Sequence, residues 1–225
     1  MKKGLFIALL LTYIMAAGKV AITVKASGDV THIHADKSPA TPLKLGTGMA
    51  NEDVIQTGKD GFAVAMYLDD KTTVKVRENS EFLIGGVRTE KGINKRVSIS
   101  YGTMMADVSK QKGKEFIVAT PTSVASVKGT EIVVVSDPVL GDLFITLVGT
   151  IVVTNSTSGD TTSVSAGQSA NSTPDGSLDV SQTNEGDIPD FDEDTGDQDE
   201  GSSHELRFEI EDINGNMKEI IIQYQ

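Results

Sequence analysis

Residues 62–76 read FAVAMYLDDKTTVKV, and this stretch decides the fold class of the chain. Large apolar side chains recur at every second residue from Phe62 to Leu68. After the acidic pair, Val74 and Val76 alternate with polar residues. A period of two is typical of β-strands, and the polar residues 69–71 between the two runs are typical of a hairpin turn. The sequence therefore predicts two antiparallel strands here.

Similar short runs lie on both sides of this hairpin, separated by turn residues. Val97, Ile99 and Tyr101 alternate with polar residues, so the neighbouring Met104, which also fits a helical pattern, is predicted to lie in a strand. After the first residues, no window of a dozen residues has a sustained helical apolar stripe. We expect one all-β domain over residues 19–172, built as a roll, a sandwich or a short solenoid.

Composition and charge exclude several classes of function. The formal net charge is −12, so a phosphate backbone would meet overall repulsion, and no nucleic-acid partner is expected. Cysteine is absent, which excludes disulfides, thiolate nucleophiles and cysteine metal sites. No glycine-rich cofactor loop, metal signature or catalytic triad order is visible, so no cofactor and no catalytic residue is predicted. Carboxylate pairs set by the fold stay open.

The N-terminal residues, MKKGLFIALLLTYIMAAG, have the order of a signal peptide. Lys2 and Lys3 precede an apolar run at residues 4–17, and small residues follow it. The run is short for a membrane span, which needs about 20 apolar residues. We therefore favour a signal peptide at residues 1–18 over a retained anchor, and expect a periplasmic or extracellular protein without a stable membrane span in the mature chain.

Residues 173–203 are polar and strongly acidic, and are predicted to be a disordered linker. Asp190, Asp192 and Asp194 match the first three positions of a calcium-binding EF-hand loop. Thr195 then stands where glycine is needed, and Gly201 takes the place of the final glutamate. These three aspartates are weak candidates for calcium binding, and a solvated spacer is favoured.

Residues 204–225 are predicted to form a C-terminal β-hairpin around Asn214-Gly215. A three-residue turn at 214–216 is favoured because it places apolar residues opposite one another. The predicted pairs are Leu206 with Tyr224, Phe208 with Ile222, Ile210 with Ile220 and Asp212 with Lys218. A lone hairpin with an apolar side is marginal in water, so we expect it to dock, preferably on its own domain and alternatively on a partner's sheet edge.

Residues 119–135, ATPTSVASVKGTEIVVV, contain a Lys-Gly-Thr that invites comparison with a phosphate-binding loop. Such a loop has several glycines before the lysine and opens a helix, whereas Lys128 precedes Gly129 and a β-rich run follows Thr130. We interpret Gly129 as structural and expect the Thr130 side chain to bond locally where a strand begins.

His32 and His34 occupy alternate positions of a β-rich run, with Asp36 next along. Alternate strand positions share a face, so these three side chains are a candidate metal triad. The alternative, a polar strand face without a metal, is favoured because the sequence has only one other histidine, His204.

The order of these motifs resembles the FecR-like family of periplasmic domains. The resemblance runs from Gly28-Asp29-Val30 to about Ala170, and Gly149-Thr150-Ile151 begins a run similar to the first, which hints at two related halves. Further matching residues are Thr57-Gly58, Asp60-Gly61, Asn79-Ser80, the run EFIVATPTSVASVKGTEIVVV and Ala166-Gly167-Gln168.

Two residues depart from the family pattern. Lys128 stands where the family usually has arginine, and Asp70 follows Asp69 where glycine is usual. The membrane span and cytoplasmic anti-sigma segment of the family's regulators are not recognisable, so sigma-factor regulation is not carried over. The resemblance implies an exported all-β domain of binding or scaffold type.

The sequence thus predicts a non-catalytic interaction or scaffold module of the bacterial cell envelope, with a protein or cell-envelope partner. A ligand-sensing or glycan-binding signalling module is the alternative. An enzyme is the least favoured hypothesis.

Overall fold

The computed structural model describes residues 18–111, 114 and 116–191, and the strands at 204–211 and 217–224. Within these residues every regular element is a β-strand, apart from one 3₁₀ turn at Glu185–Asp187. The prediction of an all-β fold is confirmed. Residues 1–17 of the predicted signal peptide lie outside the described residues.

The strands of residues 21–182 form two packed layers joined by one long strand, β10 (Gly92–Asp107). Layer A contains β1 (Ala21–Ser27), β4 (Gly48–Met49), β6 (Phe62–Tyr67), β7 (Thr73–Val76), β13 (Glu131–Asp137), β14 (Gly141–Val148), β17 (Gln168–Ser172) and β18 (Leu178–Gln182). Layer B contains β2 (Val30–Ile33), β3 (Thr41–Pro42), β5 (Val54–Thr57), β8 (Glu81–Leu83), β9 (Gly86–Thr89), β11 (Phe116–Ala119), β12 (Ser123–Val127), β15 (Thr150–Asn155) and β16 (Thr161–Ser165).

Strand β10 belongs to both layers because it bends at Gly102. Residues before the bend pair with β8, β9 and β11 in layer B, and residues after it pair with β7 and β13 in layer A. Gly102 has a φ of 99°, and an added Cβ would lie 2.1 Å from Oγ of Ser80. Any other residue would be strained and would clash, so glycine is required where the chain crosses between layers.

Several glycines stand where the chain crosses between the layers in both halves of the domain. In the first half the chain crosses near Gly28, Gly58, Asn79 and Gly102, and in the second half near Gly129, Gly149 and Gly167. Gly28 and Gly149 both follow a layer A strand and precede a layer B strand. This correspondence agrees with the two related halves that the sequence hinted at. The parallel pair β10–β11 lies where the halves meet.

The main core fills the space between the layers. Its largest fully buried side chains include Tyr67, Phe82, Phe116 and Phe144. The rings of Tyr67 and Phe116 meet edge to face at 6.3 Å, and the Tyr67 hydroxyl donates to the Gly85 carbonyl oxygen at 2.9 Å. The buried tyrosine hydroxyl therefore has the hydrogen-bond partner that its burial requires.

The alternating residues of β6 that predict a strand lie on the outer face of layer A. Ala63, Ala65 and Tyr67 belong to the main core, whereas Phe62 and Val64 belong to a second cluster. This second cluster also contains Val133, Ile145 and Phe191, with Met105, Val135, Leu143, Leu147 and Ile188 partly buried against it. Layer A is thus apolar on both faces.

The predicted disordered linker at 173–203 is wrong in its first part. Residues Leu178–Gln182 form β18, which pairs along its whole length with β17. Backbone pairing with an existing sheet edge orders this serine-rich segment, although it has few apolar side chains. Leu178 packs on the main core, and Ile188 and Phe191 pack on the outer cluster, so ordered chain extends at least to 191. Residues 192–203 lie outside the described residues.

The C-terminal hairpin is confirmed, but its predicted register is wrong by two residues. β19 (His204–Glu211) pairs with β20 (Met217–Tyr224) so that Leu206 faces Ile222 and Phe208 faces Ile220. Apolar residues recur at every second position of both strands, so both registers bring apolar positions together. The observed register leaves residues 212–216 between the strands, a common hairpin loop length. The predicted turn at Asn214-Gly215 and the Asp212–Lys218 pair fall on residues outside the description.

Candidate functional site

The Lys128-Gly129-Thr130 segment is a corner that carries the chain from β12 to β13. Gly129 has a φ of 107°, a backbone conformation that favours glycine. Val127, Ile132 and Val134 around it are fully buried. These positions agree with a structural role for Gly129. The expected local bond of Thr130 is wrong, because its buried hydroxyl has no hydrogen-bond partner, and only its carbonyl oxygen accepts, from the Val108 N–H at 3.0 Å.

His32 lies buried in β2, opposite Ile55 of β5. Only 1% of its surface is exposed, and its Nε2 lies 2.8 Å from Oδ2 of Asp53. Asp53 also accepts the backbone N–H groups of Ala35 at 3.0 Å and Ala50 at 2.8 Å. The antiparallel pairing of Ile33 with Val54 brings His32 and Asp53, the residues preceding them, together within layer B.

The structure does not bring together the candidate triad of His32, His34 and Asp36. Asp36 is exposed, and its Oδ1 accepts the Ser38 N–H at 2.9 Å. Asp53 takes its place, and ligand atoms of His32, His34 and Asp53 all lie within 4.8 Å of one another. The sequence offered no signal for Asp53, because its proximity depends on which strands pair. The sequence favoured a polar strand face without a metal. His32 does not fit that interpretation, because its side chain is buried.

Electrostatics at this group follow from its burial and its hydrogen bonds. Burial lowers the pKa of His32 below its ordinary value, against the opposing effect of Asp53. Burial alone would raise the pKa of Asp53, but the N–H groups of Ala35 and Ala50 and the ring of His32 bring it below its usual value. A neutral imidazole beside an ionised carboxylate is the resulting state at neutral pH.

A second charged cluster surrounds Lys95 at the β6–β7 turn. The buried Nζ of Lys95 lies 2.8 Å from Oδ1 of Asp69 and 2.7 Å from Oδ2 of Asp70. Lys114 also contacts Asp69, at 3.0 Å, and Gln111 donates to Asp70 at 2.9 Å. Asp70 departs from the family pattern, and here it supplies a second carboxylate to a buried ammonium. Each charged group of this cluster has a partner of opposite charge within the cluster, which is what a stabilising network of buried charges requires.

A third polar cluster surrounds Asp142, which is fully buried in the second half. Its carboxylate accepts the hydroxyls of Thr120, Thr122 and Ser136, the last at 2.7 Å. These donors come from the β11–β12 turn and from β13, so the carboxylate ties three strands together. The described neighbours supply no base or nucleophile aimed at open solvent, and the cluster is best explained as structural.

A groove with an apolar lining lies on the outer face of layer A, and we call it the layer A groove. It has a volume of about 390 Å³ and lies between the sheet and residues 185–191, which cross that face. Met105, Val133 and Leu147 form its floor, Ile188 and Phe191 form one wall, and Lys75, Glu185, Pro189 and Asp190 complete the lining. The guanidinium of Arg77 lies 6.0 Å from the Phe191 ring centroid and helps to hold that wall.

A groove of about 420 Å³ lies in layer B, where β8, β9 and β10 meet; we call it the layer B groove. Its polar lining includes Asn51, Glu52, Asn94, Arg96 and Ser98. Asn51 already accepts the Gly86 N–H at 2.7 Å through its side-chain oxygen.

The acidic calcium candidates are only partly described. Asp190 lines the layer A groove next to Phe191. Asp192 and Asp194 lie outside the described residues, so calcium binding by the three aspartates stays a prediction.

Comparison with known proteins supports the resemblance seen in the sequence. Residues 53–140 match the family model described as FecR protein, which confirms the FecR-like resemblance. This match covers the β5–β8 strands, the buried Lys95 cluster and the corner at Gly129. No curated protein matches the chain significantly.

The fold is shared with crystal structures, at 1.65 and 2.50 Å resolution, of a candidate anti-sigma factor from Parabacteroides distasonis ATCC 8503. Each has a TM-score of 0.50 at 15% sequence identity, over 57% of this chain and 59% of the other. The similarity therefore spans less than two thirds of that protein and concerns the fold. Among the described residues, no helix has the length and apolarity needed to cross a membrane.

Proposed function

We propose that this protein is a non-catalytic interaction module of the bacterial cell envelope, exported by its N-terminal segment, which binds a protein partner through the layer A groove. The FecR match over residues 53–140 supports an envelope-associated regulatory role. The observation that carries the proposal is the apolar outer face of layer A, which residues 185–191 cover only in part.

The chemistry of the groove suits a protein segment. Met105, Leu147 and Ile188 are partly buried apolar side chains, and Met adapts to partners of varied shape. Lys75, Glu185 and Asp190 provide charged groups of both signs at the rim. An apolar floor with a polar rim is the usual anatomy of a protein interface.

The buried polar clusters around Lys95 and Asp142 support a non-catalytic role. Their charged groups are occupied by each other and by neighbouring hydroxyl and amide groups. A catalytic constellation needs such groups to meet a substrate in a cleft. The two clusters bridge strands instead, and so contribute to the stability of the scaffold.

A photo-crosslinking amino acid placed at Lys75 tests the proposed surface. The protein is expressed in its native host, and crosslinked species are compared with those from the same amino acid placed at Val152. Val152 is exposed on the outer face of layer B and serves as the matched control. We expect one dominant protein adduct from position 75 that Phe191→Ala weakens. Equal adducts from both positions, or adducts from position 152 only, would contradict the proposal.

A glycan-binding module is the second candidate, because the layer B groove carries the groups that hydrogen-bond sugar hydroxyls. Asn94, Arg96 and Ser98 lie at alternate positions of β10 and share its outer face. Binding of the chain to purified cell-wall glycan, reduced by Arg96→Ala and unaffected by Phe191→Ala, would favour this alternative over the layer A groove.

A further inference from the structure

The imidazole of His32 has a ring nitrogen without a protein partner. Its Nδ1 is buried and makes no hydrogen bond, whereas Nε2 meets Asp53 at 2.8 Å. An ionised aspartate can only accept hydrogen bonds, so Nε2 is the nitrogen that carries the proton. In the neutral ring, Nδ1 then keeps a lone pair that accepts no hydrogen bond. A buried acceptor left without a donor costs free energy unless something else occupies it.

The ring of His34 lies beside the ring of His32. The two imidazole rings have centroids 4.0 Å apart, and nitrogens of both rings and an oxygen of Asp53 lie within 4.8 Å of one another. His34 is only half-buried and makes a long contact, 3.3 Å, with the Thr41 hydroxyl. Its ring can therefore adjust, and the cluster is reachable from solvent on this side.

We propose that His32, His34 and Asp53 form a binding site for a divalent transition-metal ion, a role that neither the FecR match nor the interaction surface predicts. Imidazole nitrogen is a preferred ligand for Zn²⁺, Ni²⁺ and Cu²⁺. Metal-binding histidines commonly donate their other ring N–H to a carboxylate, which fixes the ring orientation. Asp53 holds His32 in this way, and its two backbone donors hold Asp53 in turn.

Roles within the site follow from this geometry. His32 and His34 supply nitrogen ligands, Asp53 is the positioning residue, and solvent on the His34 side completes the coordination. Among the described residues, the carboxylates of Asp53 and Asp36 and the ammonium of Lys19 act on this pair, and the excess of negative charge suits a cation. With two protein nitrogens as ligands, micromolar binding is expected, weaker than a structural zinc site with four protein ligands.

Titration calorimetry with Zn²⁺ tests the site on the purified full chain, stripped with a chelator and carrying no histidine tag. Co²⁺ provides a spectroscopic readout, because visible absorption bands report nitrogen coordination. The sequence contains three histidines, so His204→Gln is a matched control that leaves the pair intact. His34→Gln is the main variant, since His34 is half-buried and its removal leaves the His32–Asp53 bond in place.

We expect one Zn²⁺ per chain at the histidine pair and visible bands with Co²⁺. His34→Gln should weaken Zn²⁺ binding by at least about tenfold without changing the melting temperature of the metal-free protein, as loss of a group in or around a metal site does. His204→Gln should leave the affinity unchanged. Absence of saturable binding, equal weakening by the two variants, or unchanged binding in His34→Gln would each overturn the proposal.

Asp53→Asn separates the positioning role from a structural one. In a variant that still folds, as judged by its cooperative thermal transition, Zn²⁺ binding should fall by about 10–100-fold and the Co²⁺ spectrum should change shape. If this variant does not fold, the histidine variants decide the matter. A folded Asp53→Asn protein with unaltered Zn²⁺ affinity would show that Asp53 does not orient His32 for a metal.

Discussion

The two faces of layer A are both apolar, but they are covered in different ways. Phe144 and Ala65 on the inner face are fully buried against layer B. On the outer face, Val133 and Ile145 are fully buried, whereas Met105 and Leu147 are only partly buried beside residues 185–191. The inner face is closed by an entire second sheet, and the described cover of the outer face is a single chain segment.

This difference separates stability from recognition. Burial of a large apolar side chain contributes about 1.5–3 kcal/mol, so each fully buried residue of the inner face adds substantially to the stability of the fold. Partly exposed apolar residues such as Met105 and Leu147 contribute less to folding and retain surface that a partner can bury. We therefore expect substitutions on the inner face to unfold the protein and substitutions on the outer face to alter binding.

The largest expected effect is on the inner face. Phe144→Ala removes a fully buried ring and should lower the free energy of unfolding by about 3–5 kcal/mol. Chemical denaturation is the measurement, and Val152→Ala, at an exposed position of layer B, is the control expected to change stability by less than about 0.5 kcal/mol. A loss at Phe144 no larger than that at Val152 would contradict the assignment of this face to the core.

The next largest effect is expected at the glycine corners, where the chain crosses between the two layers. Gly129→Val places a branched side chain at a φ of 107°, with its Cβ 3.2 Å from Cα of Lys110. Strain of this kind costs about 1–3 kcal/mol. Thermal unfolding should show a lower melting temperature for Gly129→Val and little change for Lys128→Ala. A stable Gly129→Val protein would mean that the corner tolerates an ordinary residue.

A smaller effect is expected on the outer face. Phe191→Ala removes a side chain that is 8% exposed and packs on Phe62 and Val133. The expected loss of unfolding free energy is about 1.5 kcal/mol, at the lower end for a buried aromatic residue. Phe191→Leu should recover part of it. A loss as large as that of Phe144→Ala would show that residues 185–191 belong to the folding core and would remove the contrast between the faces.

The smallest effect concerns the charges at the β6–β7 turn. Burial alone would raise the pKa of Asp69, but hydrogen bonds from Lys95, the Ile93 N–H and Lys114 bring it below its ordinary value. A carboxylate with a lowered folded-state pKa stabilises the protein above its unfolded-state pKa, and this stabilisation disappears as the pH falls through the folded-state pKa. The wild-type protein should lose this contribution on acidification from about pH 5 to below pH 3.

Asp69→Asn isolates this contribution, because it removes the titrating group while Asp70 still pairs with Lys95. Stability measured by urea denaturation should be lower than wild type at pH 6, and the difference should shrink as the pH approaches 3. An Asp69→Asn protein whose stability falls with acid as steeply as that of wild type would assign the acid sensitivity to other carboxylates.

Local sequence patterns were sufficient for much of the fold. The alternation in FAVAMYLDDKTTVKV predicted β6, β7 and their turn, and the pattern ending at Tyr101 placed Met104 correctly in a strand. The Lys-Gly-Thr segment has a single glycine and precedes a β-rich run, which predicted the start of a strand rather than a phosphate-binding loop. Gly129 stands at the corner that precedes β13. The ordered motifs also sufficed to suggest the family whose model matches residues 53–140.

Contacts between distant parts of the chain were decided only by the tertiary structure. Asp53 joins His32 and His34 because β2 pairs with β5, and no local pattern reports that pairing. The segment after Ser172 is ordered because an edge strand was available to pair with it, although its composition predicted disorder. In the hairpin, apolar residues at every second position allow registers that differ by two residues, and the observed one pairs Phe208 with Ile220.

Local sequence patterns are enough to show that this chain is built from short strands with glycine at the corners, because the two-residue period and glycine's backbone freedom are properties of neighbouring residues. It could not determine which apolar side of β6 faces the main core, because Phe62 and Val64 look as suitable for burial as Ala63 and Ala65. That choice depends on what covers each face. Layer B covers one face and residues 185–191 partly cover the other, and the second cover comes from residues distant in the chain.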